Sequence, residues 1–149
     1  MPIEARWLIE GAIIINAAWG DIDMEDMRTM FYGTRSLMDQ TTHIWGHIIT
    51  DARGIVRMPS MLEVTRSMRD FPPHPRTGWV INVRSANPVL SFITDVAMQL
   101  TKQRSRTLPT MTGGLEFLQS VDTHLDWSRL PADYAARDRL FDGTGNPVG

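Results

Sequence analysis

"HIITDARGIVRMPSMLEV", residues 47–64, joins an apolar run to an acid, a basic segment and a serine that opens an amphipathic stretch. The β-branched residues up to Thr50 read as a strand over about 43–50, with Asp51 at its tip and a loop beyond it. Ser60 and Glu63 form an S-x-x-E capping box, in which each side chain accepts a hydrogen bond from the other residue's backbone N–H. The box opens a helix over about 60–70. "FPPHP" stops that helix, because proline lacks a donor and restricts the residue before it.

Upstream, "ARWLI" (5–9) and "AIIINAA" (12–18) read as two strands joined by the tight Glu10-Gly11 connection of a hairpin. The period then changes: Met27, Met30, Phe31, Thr34, Leu37 and Met38 share one helical face, predicting a helix over about 23–39. Asp23 is its expected N-cap, with Glu25 and Asp26 in the first turn where they suit the helix dipole. Downstream, "TGWVINV" (77–83) marks a strand of interior composition, expected over about 77–84. Asn87-Pro88 starts a helix over about 88–103, whose Val89, Phe92, Ile93, Val96, Ala97 and Leu100 form a wide apolar stripe. A short strand (106–109) precedes Thr110, the cap of a last helix over about 111–121. Gly113 and Gly114 weaken that helix by roughly 1 kcal/mol each relative to alanine. The order ββαβαβαβα predicts an α/β fold: a mixed four- to five-stranded sheet with an N-terminal β-hairpin and about four helices.

Residues 1–122 are expected to form one domain, and 123–149 a C-terminal extension. The extension carries Trp127, Leu130, Tyr134, Leu140 and Phe141, richer in large apolar groups than a disordered tail. It is expected to dock on its own domain or on a neighbouring subunit. Trp127, Leu130, Tyr134 and Phe141 are the expected anchors of a homo-oligomer interface.

Composition narrows the chemistry. The 149 residues are 42% hydrophobic and 21% charged, with a formal net charge of -2, so no basic field invites nucleic acid. No apolar run approaches the ~20 residues of a membrane span. The absence of cysteine excludes disulfides, thiolate catalysis and cysteine-ligated zinc. "MPIEARWLIE" lacks the blocks of a signal peptide, which points to the cytoplasm. His43 and His47 have the i, i+4 spacing of helical metal ligands, but on a strand four residues span about 13 Å, too far for one ion. They read instead as two histidines on one sheet face or edge. Asp51 lacks the acidic pair and the distal lysine of a phosphoacceptor site, and reads as an acid that folds back onto Arg53 or Gly54. Asp21, Asp23, Glu25 and Asp26 lack the glycine and distal glutamate of a calcium loop. The glycines of "TMTGG" match no phosphate-loop pattern. Arg66, Arg69, His74 and Arg76 form a local basic patch. No catalytic constellation emerges, and neither an enzyme, a cofactor nor a metal is expected.

The hairpin, "HIITDARG", "ANPVLSFITDVAMQL" and "RTLPTMTGGLEFL", in this order over residues 5–121, resemble the STAS and SpoIIAA-like superfamily of small bacterial proteins. Many members present a phosphorylatable serine or threonine before the second helix, as D-S-[ST]-G. Here that stretch is Arg57-Met58-Pro59-Ser60-Met61, without the acid or the glycine, and Ser60 is the remaining candidate. The resemblance implies a non-catalytic interaction or regulatory module. Such a module would meet a protein partner through Asp51, Arg53, Arg57, Ser60 and the second helix. Two alternatives are a self-assembling structural unit using the C-terminal extension, and a domain that binds a small ligand between sheet and helices.

Overall fold

In the computed structural model, residues 3–83 and 87–131 are described. Five strands, β1 (Ile3–Ile9), β2 (Ile13–Asp21), β3 (Gly46–Arg57), β4 (Thr77–Val83) and β5 (Ser105–Leu108), form one sheet in the order β1-β2-β3-β4-β5. β1 and β2 are antiparallel, and each later neighbour is parallel. The hairpin turns at Gly11, whose φ of 78° suits glycine. A side chain there would also run into Thr42. Gly11 instead offers its carbonyl to the N–H groups of Thr42 and His43, at 3.0 and 3.1 Å, which anchors the segment leading into β3.

Helices α1 (Met24–Met38), α2 (Met61–Asp70) and α3 (Pro88–Thr101) are the three crossovers between parallel strands, and α4 (Met111–Val121) follows β5. Because the strand order never reverses, right-handed crossovers place α1, α2 and α3 on the same face of the sheet. The packing agrees. Met27, Val64, Met68, Ile93 and Ala97 from these helices share one apolar cluster with Ile3, Ala18 and Ile22. On the opposite face Met111, Leu115 and Leu118 of α4 cover Ile13, Ile15, Ile49 and Ile81. Gly114 lets α4 approach, since a Cβ there would stand 2.9 Å from Ile81 Cγ2.

The helix starts are those read from the sequence. Asp23 and Asp26 cap α1 reciprocally, Ser60 and Glu63 do the same for α2, and Asn87 and Thr110 cap α3 and α4. β3 differs. It begins at Gly46 rather than near 43, and it continues through the expected loop to Arg57. Its continuation is held by the far end of β2, where Trp19, Gly20 and Asp21 pair with Gly54, Ile55 and Arg57 across two register shifts. Asp51 is therefore a mid-strand residue, not the tip of a strand.

Candidate functional site

Strand alternation sends successive side chains to opposite faces. On β2, β3 and β4 the helix-covered face carries Asn16, Thr50 and Asn82, with Thr77 at the start of β4 a further polar residue on that side. Register aligns them, with Asn16 opposite Thr50 and Thr50 opposite Asn82, and Thr107 of β5 next in line. A polar row thus crosses the parallel part of the sheet beneath three helices. Asn16 and Asn82 are each only 3% exposed.

The helices do not fill the space above this row. A cavity of about 170 Å³ lies between it and α1, α2 and α3. Six methionines line it: Met27, Met30, Met38, Met58, Met68 and Met98. Their unbranched thioethers adapt to irregular contents more readily than branched side chains do. Arg35, Pro72 and Pro73 also line the cavity and are exposed, which marks its mouth. There the Arg35 guanidinium donates to the Pro72 carbonyl at 3.4 Å.

The row is unevenly satisfied. The Thr34 hydroxyl donates to Asn16 Oδ1 at 3.1 Å, and the Thr107 hydroxyl to Asp95 Oδ1 at 2.7 Å. Asn82 Nδ2 is buried without a hydrogen-bond partner among the described residues. A buried donor left in that state costs about 1–3 kcal/mol.

Of the candidate site residues singled out from the sequence, His74 lines the cavity and the other described ones lie elsewhere. Asp51 is fully buried on the α4 face of β3 and accepts from Arg53 at the backbone N–H (3.2 Å), at Nε (2.9 Å) and at Nη2 (2.8 Å). Residues i and i+2 of a strand share a face, so this two-pronged pair follows from Arg53 lying in β3 rather than in a loop. Arg57 is exposed, and its carbonyl accepts from the Ile22 N–H at 2.8 Å. The Ser60 hydroxyl accepts from the Glu63 N–H at 3.3 Å and lies 3.1 Å from Glu63 Oε2. Trp127 and Leu130 pack, partly buried, against the core of their own chain, and the Trp127 indole donates to the Asp122 carbonyl at 2.9 Å. Tyr134 and Phe141 lie outside the described residues. In the basic patch, His74 meets Asp39 at 2.9 Å and Arg76 donates to the Thr41 carbonyl at 2.9 Å, while Arg66 and Arg69 are exposed.

His43 and His47 require a correction. His43 precedes β3, so the strand spacing that separated the two rings does not apply. Both Nε2 atoms reach Asp122 Oδ2, at 2.8 and 2.7 Å. The Trp79 N–H donates to His47 Nδ1 at 3.0 Å. A backbone N–H only donates, so Nδ1 is the unprotonated nitrogen and Nε2–H donates to the carboxylate. Burial lowers the His47 pKa, against the opposing pull of Asp122. Burial pushes the Asp122 carboxyl up, but the hydrogen bonds from His47 and His43 outweigh it and hold the pKa below the usual value. Asp122 Oδ1 also accepts from the His124 and Leu125 N–H groups, so the cluster fastens the end of α4 to the start of β3. Among the described residues no group of three or more His, Cys, Asp or Glu is placed to hold a metal ion.

The cavity residues escaped the sequence reading. Their signal was a polar residue inside each of three β-branched runs, Asn16 in "IIINAA", Thr50 in "HIITDA" and Asn82 in "WVINV", together with ten methionines in 149 residues. Only strand register turns three isolated polar residues into a row.

No protein-family profile matches the chain, and no curated protein matches it. Among solved structures it is similar to an uncharacterized protein from the DUF3478 family with a SpoIIAA-like fold, from Shewanella loihica PV-4. The TM-score is 0.56 at 13% identity, over 78% of this chain and 91% of the other. The chain has a SpoIIAA-like fold. No helix among the described residues is long and apolar enough to cross a membrane.

Proposed function

We propose that this domain is a non-catalytic binding module that takes a small, mostly apolar molecule into the cavity between its sheet and α1, α2 and α3. The observation that carries the reading is the unfilled space of about 170 Å³ walled by six methionines. An apolar cavity of about 150 Å³ suffices to bind benzene. Two neighbouring facts support it. The strand order has no reversal, so the sheet lacks the crevice at which open α/β sheets usually bind ligands, which favours interior space as the place for one. The groups facing the cavity from the sheet are amides, hydroxyls and aliphatic side chains, which hold a molecule rather than transform it.

Protein labelled with ¹³C at the methionine methyls tests the reading. Titrated with benzene, it is expected to shift the signals of the six lining methionines and to leave those of Met61 and Met111 in place. Ala52→Leu, which adds bulk at the cavity wall, is expected to abolish the shifts. Shifts spread evenly over all methionines, or none at all, would refute the cavity as a binding site.

A regulatory protein-interaction role for α2 and the residues before it has one support of its own. Val56 and Leu62, flanking the Ser60 cap, are 51% and 60% exposed. Asp51 is buried and held by Arg53, whereas Ser60 is exposed and engaged in its capping box. The cavity is the better-supported site.

A further inference from the structure

Resting on that cavity reading, we infer that Asn82 is a recognition residue, and that the ligand is a neutral molecule whose carbonyl-type oxygen accepts a hydrogen bond from Asn82 Nδ2 while its apolar body lies among the methionines. Asn82 is only 3% exposed, lines the cavity, and has no partner for its Nδ2 among the described residues. The other asparagine of the row differs: Asn16, two strands away on β2, accepts from Thr34. Along the row Asn16 and Thr107 are engaged while Asn82 Nδ2 is left open, and what it supplies is N–H. An amide NH₂ donates only, so the atom it calls for is an acceptor.

Charge selects among acceptors. A carboxylate drawn down to Asn82 would lose its hydration, and a buried charge needs a counter-charge there. Among the described residues two basic side chains line the cavity, and both stand at its mouth: Arg35 is exposed and hydrogen-bonded to the Pro72 carbonyl, and His74 is engaged with Asp39. The sheet side of the cavity carries amides, hydroxyls and aliphatic groups. A ketone, ester or amide oxygen fits that wall, and an ionised head group does not. Size agrees, since a volume of about 170 Å³ admits a molecule on the scale of a six-membered ring with small substituents.

Water is the natural competitor. A ligand carbonyl that displaces it keeps the bond to Nδ2, whereas an apolar group of the same shape displaces the water and strands the donor. That difference corresponds to about ten- to a hundredfold in affinity. It acts against ordinary hydrophobic preference, which favours the less polar molecule.

Cyclohexanone and methylenecyclohexane differ only by an oxygen in place of a methylene and serve as the probes. Each is titrated into the full chain while the methionine methyl signals are followed. Cyclohexanone is expected to bind about tenfold or more tighter, despite its greater solubility in water. In Asn82→Leu, which keeps the side chain's shape without its donor, the order should reverse. Equal binding of the two probes, or tighter binding of methylenecyclohexane, by the unaltered chain overturns the inference and leaves the cavity reading standing. Failure of both probes to bind overturns both. Retention of the cyclohexanone preference by Asn82→Leu would remove Asn82 from recognition, and that result needs only a variant that folds.

Discussion

His47 is gripped at both ring nitrogens, by a backbone N–H at Nδ1 and by Asp122 at Nε2. A proton added at Nδ1 would face the Trp79 N–H, donor against donor, so geometry and burial both oppose the charged form. With its folded pKa below the ordinary value, the unfolded chain binds the proton first. Stability is then expected to be full above about pH 6.5 and to fall as pH drops below it, by at most about 1.4 kcal/mol per pH unit from this group. Asp122 adds a second, lower window. Its carboxyl is held below the usual value, so its contribution is present above about pH 4 and is lost as pH falls through the folded pKa. Thermal unfolding between pH 7.5 and 5 measures the first window, and His47→Gln should flatten it; an unchanged slope would assign the effect to another group. Ser60 yields a different comparison. Ser60→Ala removes a cap and should cost about 1 kcal/mol. From sequence alone Ser60→Asp looks neutral, because aspartate caps as well as serine. In the structure, however, Ser60 Oγ stands 3.1 Å from Glu63 Oε2, so a second carboxylate there meets like charge. Urea midpoints should place Ser60→Asp below the unaltered chain, and Glu63→Gln should recover part of the difference.

At the scale of elements, α4 sets two physical effects against each other. Helix propensity favours alanine over glycine by roughly 1 kcal/mol at both Gly113 and Gly114. Space decides otherwise at Gly114, where a Cβ would stand 2.9 Å from Ile81 Cγ2, whereas at Gly113 it would meet only the Thr110 hydroxyl at 3.1 Å. Gly114→Ala is expected to destabilise by about 1–3 kcal/mol through overpacking, and Gly113→Ala to change stability by less than half as much. Equal effects in chemical denaturation would contradict this account of how α4 seats on the sheet. The same contrast marks what could be read in advance. Caps, helix faces and the alternation of strands and helices are local, and they stood in the sequence as Asp23, Ser60, Asn87-Pro88 and Thr110. The extent of β3 was not local, because residues 52–57 become strand only when β2 runs on to Asp21 beside them. The meeting of His43 and His47 at Asp122 was hidden for the same reason: 75 residues of chain separate His47 from its partner. Asn16, Thr50 and Asn82 were visible as letters, but their adjacency belongs to the sheet.

For the whole molecule, the apolar residues after α4 divide into two groups. Leu125 is 6% exposed, and Trp127 and Leu130 pack against the core beneath α4. Burying a large apolar side chain contributes roughly 1.5–3 kcal/mol, and two of these three are only partly covered. A chain ending after Asp122 should therefore lose on the order of 3 kcal/mol or more, and with it the acceptance by Asp122 of the His124 and Leu125 N–H groups. A chain ending after Pro131 keeps those contacts and should unfold within a few degrees of the full chain. Because Trp127 and Leu130 already lie partly against their own core, Tyr134 and Phe141 are expected to carry the larger share of any contact between copies of the chain. Mass in solution separates the two roles. The full chain is expected to be a homo-oligomer, and the chain cut after Pro131 to run at the mass of one copy with its fold intact. If that cut leaves the mass unchanged, residues 132–149 do not hold the copies together.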